Sequence, residues 1–479
     1  MLEKWLSSSL FPASANGDSE LDAVLASISE SDVSATRTKW ESHWASAASD
    51  EDFGWLVREA RCNAIRLPIG YFTLGPEWCE ETPFERAAEV YTNAWAAVRD
   101  LERRARGFGV GILLDFHALY GGANGDAHSG SSSGKAELWG SRKNLERSKK
   151  ALVWIVEQIK SSSMDGVIGL QLCNEAVWDA EGMYEWYSSV IEEIGAVDSS
   201  LPIYVSDGWD LGRALSWTNK RQAFKTQPSN PVVIDTHNYY TFSDKDRSQA
   251  PSQIISRIPG ELGELDGKEG SLSDRGEAQL IIGEYSCVMD GQTWSRCQED
   301  EKEGFVKQFG REQSMKWQSR AGGSYFWTWK MEWMDGGEWG FAEQTKKGNI
   351  TPPPWLTIPA SEVQSRTRDA MAQREGLSQR ARESHEGYWN STSPGKKFEH
   401  QLYSEGWKVG FSDASRFFSM KSDGALGEVA KTEGGDTIGC LDIWVKKRML
   451  ESGYRGKFVW EWEQGFRAGV GAFNQCVGI

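Results

Sequence analysis

The stretch Val167–Glu175, VIGLQLCNE, is an apolar β-type run that stops on an amide and a carboxylate. An amphipathic segment, Leu145–Lys160, precedes it and another, Met183–Ile194, follows. Strand followed by helix at this spacing reads as a βα unit in a parallel sheet. The same grammar returns at Gln279–Tyr285, QLIIGEY, where a second apolar run ends in Gly283-Glu284. In a parallel barrel the C-terminal ends of all strands lie on one rim, so Glu175 and Glu284 are expected on the same face.

Working outward, further short apolar runs fall at Asn63–Pro68, Val110–Phe116, Pro202–Ser206, Val232–Asn238 and Gly323–Trp329. Helical stretches such as Phe84–Arg106 and Glu303–Arg320 lie between them. This predicts an α/β protein, a (β/α)₈ barrel, with seven recognisable strands among the 479 residues. No strand is legible in residues 1–12, and no GxGxxG follows the first strand to suggest a dinucleotide fold. The segment Tyr120–Lys135, YGGANGDAHSGSSSGK, is too rich in Gly and Ser for helix or strand. It reads as a loop on the active-site rim or as a flexible linker. Gly260–Gly276 is a second polar loop.

The alternation ends at Thr351-Pro352-Pro353-Pro354. We therefore expect a barrel over 1–355 and a mainly helical extension over 356–479, packed on the barrel. The extension echoes itself: Gly406/Gly410 and Gly465/Gly469 share i, i+4 spacing, which suits two helices in close approach.

Bulk properties narrow the function. A net charge of −16 disfavours nucleic acid and anionic membrane as partners. No apolar run is long enough for a membrane span. The opening Met1–Leu6 lacks a secretory apolar core, and seven scattered Cys suit reduced thiols, so a cytoplasmic location is expected. Sequons at Asn349 and Asn390 carry little meaning without a leader. No Cys/His spacing suggests zinc, and no cofactor is expected. The 24 Trp either fill a core or stack on sugar rings. A carboxylate just past a buried strand is partly desolvated, and two facing each other are what glycoside hydrolysis uses.

The motifs Arg66–Tyr71, Leu114–His117, Gln171–Glu175, Asp235–Tyr239, Ile282–Tyr285 and Phe326–Glu332 occur in this order. With them the chain resembles glycoside hydrolase family 5 of clan A, in its fungal exo-β-1,3-glucanase-like branch. The resemblance implies a retaining hydrolase of β-glucans or β-glucosides, with Glu175 as acid/base and Glu284 as nucleophile. It further implies that Asn174 binds the 2-hydroxyl of the −1 sugar, that Arg66 and Tyr239 hold Glu284, and that His117 and His237 line the pocket. Trp329 would be the sugar platform, in preference to Trp327, and Glu3 would contact non-reducing hydroxyls. Relatives carry His-Gly-Ala-Pro-Gly where this chain has His117-Ala118-Leu119-Tyr120-Gly121. They also begin with a strand that would lie just before Met1, so the expectation is a barrel lacking its first strand. Two alternatives to a glucanase are an intracellular β-glucosidase of small or lipid-linked glucosides and a non-catalytic sugar-binding barrel.

Overall fold

The computed structural model describes residues 3–222, 230–267, 271–276, 279–332 and 336–479. Part of the second polar loop, 268–270, lies outside them. Seven strands form one sheet in the order β1-β2-β3-β4-β5-β6-β7. They are β1 (Ala64–Gly70), β2 (Gly111–Ala118), β3 (Val167–Gln171), β4 (Ile203–Ser206), β5 (Val232–Tyr240), β6 (Gln279–Met289) and β7 (Ser324–Phe326). The recorded pairings are parallel throughout. Every residue of β4 is buried, as is β2 from Ile112 onward, which is why these strands read as continuous apolar runs without alternation.

β7 is shorter than expected. Past Phe326 the backbone turns to a different partner: Thr328 N–H donates to the Trp339 carbonyl, and Phe341 and Ala342 N–H donate to the Thr328 and Trp329 carbonyls. Trp327 N–H still donates to the Tyr285 carbonyl of β6, but residues 328–329 have left the sheet, although they look like strand. The expected helix Phe84–Arg106 also divides, into 3₁₀ turns over Glu85–Tyr91 and an α-helix over Ala94–Gly107. The break falls at Thr92-Asn93, both weak helix formers.

Three helices precede β1: Glu20–Glu30, Val33–Ser46 and Asp50–Arg58. Each starts where a side chain satisfies an orphan N–H: Ser19 caps Asp22 N, Asp32 caps Ala35 N and Ser49 caps Asp52 N.

β1 and β7 are the two ends of the sheet order, so the barrel is nearly closed and its seam lies between them. A cavity of about 400 Å³ occupies that seam. Its walls include Ile65 and Leu67 of β1, Phe326 of β7, Trp44 of the second helix, and Ala97 and Val98 of the helix Ala94–Gly107.

The chain divides into two compact units. The barrel unit holds 1–215, 228–262 and 280–351; the second holds 216–227, 263–279 and 352–479. The second is therefore built from two excursions of the barrel chain as well as from the C-terminal extension. Its helices Ala360–Thr392, His400–Ser419, Leu441–Ser452 and Val459–Val477 enclose a core that includes Trp407, Phe411, Phe418, Trp462, Phe466 and Phe473. The echoed glycines lie where the helices His400–Ser419 and Val459–Val477 touch. A Cβ on Gly406 or Gly410 would overlap the carbonyl of Trp462 or Phe466, and one on Gly465 or Gly469 that of Tyr403 or Trp407. Glu463 receives the N–H groups of Leu272 and Ser273 at 2.6 and 2.9 Å, and so caps the short helix Leu272–Arg275 of the same unit. All seven cysteines are free thiols. Among the described residues no helix is long and apolar enough to cross a membrane.

Candidate active site

Glu175 follows β3 at the end of the Asn174-Glu175 turn, with a left-handed backbone (φ 41°). The Asn124 side chain holds this turn by donating to the Glu175 carbonyl at 3.0 Å. Glu284 lies within β6 and is buried. A carboxylate oxygen of each glutamate and a ring nitrogen of His237 all fall within 4.8 Å of one another. His237 Nδ1 is the common neighbour, 2.8 Å from Glu175 Oε1 and 3.6 Å from Glu284 Oε2.

Glu284 is fixed from both sides. Arg66 Nη1 donates to its Oε1 at 2.8 Å, and the Tyr239 hydroxyl donates to its Oε2 at 2.8 Å. Arg66 also donates to Asn174 Oδ1 at 2.7 Å and Gln171 Oε1 at 2.9 Å, and pairs with Asp115 at 3.0 Å. One buried guanidinium thus orders side chains from β2, β3 and β6 together with Asn174, a geometry that suits its planar fork. Burial pushes the Tyr239 hydroxyl well above its usual range, and the neighbouring Glu284 charge adds to this, so it stays a proton donor.

Two Asp-x-His pairs underlie the pocket. Asp115 Oδ2 meets His117 Nδ1 at 2.6 Å, and Asp235 Oδ2 meets His237 Nε2 at 3.1 Å. Residues two apart on a strand share a face, so each aspartate orients the histidine beside it. The Asn174 amide lies 3.1 Å from His117 Nε2. Because Arg66 fixes the amide oxygen, this contact is Asn174 Nδ2 donating to His117. The second ring has carboxylates on both nitrogens. Burial opposes its charge, but Glu284, Asp235 and Glu175 outweigh burial and hold His237 well above the ordinary histidine range.

The residue that sequence reasoning missed is His128, in the loop after β2. Its Nε2 lies 3.2 Å from Glu175 Oε2 and its Nδ1 3.2 Å from His117 Nε2. Burial lowers its pKa, but Asp126 and Glu175 raise it further, to about 10. For Glu175 burial raises the pKa, and hydrogen bonds from His128 and His237 overcome it, holding the carboxyl well below its usual range. Asp207, after β4, is pushed up to about 6 by burial and accepts from Thr236 at 2.7 Å. Asp126, His128 and Glu175, and likewise Glu175, His237 and Glu284, bring metal-type donors within 4.8 Å, but these donors are engaged in ion pairs with one another.

The structure places Trp329 elsewhere than sequence reasoning did. Its ring lies 6.1 Å from Phe53, with Lys330 Nζ 5.3 Å over it. Trp327 is the indole that lies near-parallel to His117, at 6.1 Å and 17°. The reason is the early end of β7: beyond Phe326, residues two apart no longer share a face. Glu3 forms an isolated bridge to Ser19 and accepts from Trp5 Nε1 at 2.9 Å. Trp5 packs on Trp339 at 5.5 Å, and Trp339 on Tyr239 at 5.8 Å, so aromatic rings link Glu3 to the pocket wall. Three exposed aromatics stand near the site: Trp178, three residues past Glu175; Trp209, 6.4 Å from His237; and Phe242, 5.4 Å from Tyr239.

Residues 27–331 match the family model of Cellulase (glycosyl hydrolase family 5), and 370–477 match that of the Glucan 1,3-beta-glucosidase 3 C-terminal domain. Glucan 1,3-beta-glucosidase 3 of Schizosaccharomyces pombe is 31% identical, over 97% of this chain and 91% of its own length. An uncharacterised glycosyl hydrolase of Saccharomyces cerevisiae is 30% identical, over 99% of this chain and 89% of its own. Among solved structures, rutinosidase from Aspergillus niger superposes with a TM-score of 0.54 at 16% identity, covering 72% of this chain and 94% of that one, a likeness of fold. A buried Glu284 facing a half-buried Glu175 in a parallel barrel, in a chain with these relatives, defines a β-glycosidase. The chain belongs to glycosyl hydrolase family 5.

Proposed function

We propose that this chain is a retaining β-glucosidase that removes glucose from β-1,3-linked glucan ends by double displacement. The observation that carries the reading is the carboxylate separation. One oxygen of Glu175 and one of Glu284 lie within 4.8 Å of each other, in keeping with the ~5–5.5 Å of retaining pairs and short of the roughly 6.5–9.5 Å over which inverting pairs hold a water. Glu284 is the nucleophile. Arg66 and Tyr239 aim its carboxylate, and both contacts weaken as charge leaves the oxygens in the glycosyl-enzyme.

Glu175 is the acid/base. The hydrogen bonds from His128 and His237 favour an ionised Glu175 carboxyl, and the carboxylates around His128 and His237 favour protonated imidazoles. The first step therefore passes a proton from imidazolium through the Glu175 carboxyl to the leaving oxygen. In the second step Glu175 takes a proton from water, and the imidazoles are recharged. Asn174 binds the 2-hydroxyl, and Trp327 rather than Trp329 forms the sugar platform. Glu3, behind Trp5, contacts the non-reducing end. The β-1,3 assignment draws on the Schizosaccharomyces pombe relative.

A second reading is favoured by the three exposed aromatics Trp178, Trp209 and Phe242. An apolar rim suits an apolar aglycone, as in an aryl or lipid-linked β-glucoside. Hydrolysis of laminarin, gentiobiose, cellobiose and a steryl glucoside, compared by kcat/KM, separates the two. The first reading requires laminarin to lead.

Glu175→Gln is expected to lower kcat/KM on unactivated glucosides by about 10²–10⁴-fold, with a smaller loss on nitrophenyl glucosides that need little protonation. Added azide should rescue Glu175→Gln and yield the β-glycosyl azide. Glu284→Gln should be inactive on every β-glucoside. Equal, unrescued losses in both variants would contradict the assignment.

A further inference from the structure

The chain has six histidines. Three are in the active site; two of the others, His385 and His400, converge on one carboxylate in the C-terminal unit. Glu461, fully buried near the start of the helix Val459–Val477, places Oε2 at 3.0 Å from His385 Nε2 and 2.9 Å from His400 Nδ1. His385 comes from the helix Ala360–Thr392, and His400 opens the helix His400–Ser419. The three donor atoms lie within 4.8 Å of one another.

A fully buried carboxylate needs compensation for its lost hydration. Glu461 Oε1 accepts the Glu399 backbone N–H at 2.8 Å, which fixes the carboxylate plane. Oε2 faces the two imidazoles, and among the described residues these are its ion-pair partners. Aromatic rings set the imidazole planes: His385 stacks on Tyr403 at 4.0 Å, and His400 on Phe398 at 5.4 Å. Trp389 and Trp460 close the surroundings, each within 6.4 Å of His385.

We propose that His385, His400 and Glu461 form a zinc-binding site that ties three helices of the C-terminal unit together. Two imidazoles and one carboxylate are a standard donor set for Zn²⁺, with bonds of about 2.0–2.2 Å. Tetrahedral angles at those lengths place ligand atoms a little over 3 Å apart, so a slight opening of the triad admits the ion. The Glu399 N–H on the non-coordinating oxygen and the stacked rings supply the orienting contacts that metal ligands need. His400, at the edge of the cluster, is partly open, which gives an entry path and a fourth position for water.

The alternative is a purely hydrogen-bonded triad, and zinc distinguishes them. Purified full-length protein, stripped with chelator, is titrated with ZnCl₂ against a chromophoric competitor, and bound metal is measured by mass spectrometry after dialysis. The site predicts one zinc per chain at micromolar affinity or tighter, a rise in Tm on loading, and tetrahedral d–d absorption with Co²⁺. His400→Asn, at a partly exposed position, should keep the fold by circular dichroism and lose more affinity than the about 10–100-fold that removal of a ligand's orienting partner costs. A Glu175→Gln/Glu284→Gln double variant, which disarms the donor clusters of the barrel, should bind zinc as the parent does. Absence of stoichiometric zinc in folded protein, or equal binding by parent and His400→Asn, would overturn the proposal. So would loss of the zinc in the barrel double variant.

Discussion

Glu175 lies between two imidazoles, and in the proposed mechanism this makes the acid/base a shared device. His128 holds a proton up to about pH 10 because Asp126 and Glu175 face it; Glu175 is ionised for the reciprocal reason. Removing His128 should therefore harm the step that needs a proton. His128→Asn is expected to lose more kcat/KM on alkyl than on nitrophenyl β-glucosides, steepening the dependence on leaving-group pKa; parallel losses would contradict the relay. The same pair predicts a pH-dependent stability difference. His128 has a folded pKa above its ordinary 6.5, so its stabilising contribution is complete below 6.5 and is lost as pH rises through about 10. Glu175 has a folded pKa below its ordinary 4.5, so its contribution is complete above 4.5 and is lost as pH falls through the depressed value. Denaturant midpoints of parent and variant should differ most between about pH 4.5 and 6.5 and converge above pH 10. At this scale the glutamates were legible because each interrupts an apolar run. The Asp-x-His pairs at Asp115/His117 and Asp235/His237 lie in two of the motifs that carry the resemblance, and a buried strand rarely carries an aspartate without cause. His128 had no comparable signal, because a Gly/Ser-rich loop does not reveal where its one histidine points.

At the scale of elements, the strand starts were legible to within about a residue, whereas strand ends were not. β6 runs on to Met289 and β7 stops at Phe326, because what ends a strand is the loss of a neighbour's hydrogen bonds, which local sequence does not encode. The early end of β7 is what sets Trp327, rather than Trp329, beside His117. The glycine echo, by contrast, was readable, since i, i+4 small residues on two helices have a direct packing meaning. Alanine ordinarily stabilises a helix over glycine by about 0.5–1 kcal/mol. At Gly406 and Gly465 the sign should invert, because a Cβ there meets backbone carbonyls that cannot swing away. Gly406→Ala and Gly465→Ala are each expected to cost about 1–3 kcal/mol by chemical denaturation of the full chain. A neutral or stabilising result would show that the helices separate easily.

At the largest scale the described residues form a seven-stranded, nearly closed parallel barrel and a helical unit drawn from three chain segments. Strand count and parallel order were legible because βα alternation is periodic. The inclusion of 216–227 and 263–279 in the helical unit was not, because such contacts join residues far apart in sequence. The seam cavity of about 400 Å³ is lined by apolar side chains of β1 and β7, and space left unfilled there forfeits dispersion contacts. Ala97 lines it from the helix Ala94–Gly107. Ala97→Leu should fill part of the space and stabilise the barrel by about 1–2 kcal/mol, since each buried methylene contributes ~0.8 kcal/mol. A lower Tm would show that the seam is already packed.

The central claim is that Glu175 and Glu284 act as a retaining pair. It is tested most directly by following hydrolysis of a β-glucoside by proton NMR before mutarotation. The account predicts that the first anomeric signal to grow is β-glucose, with α-glucose appearing only as the sugar equilibrates. If α-glucose appears first, the nucleophile role of Glu284 and the double displacement are both wrong.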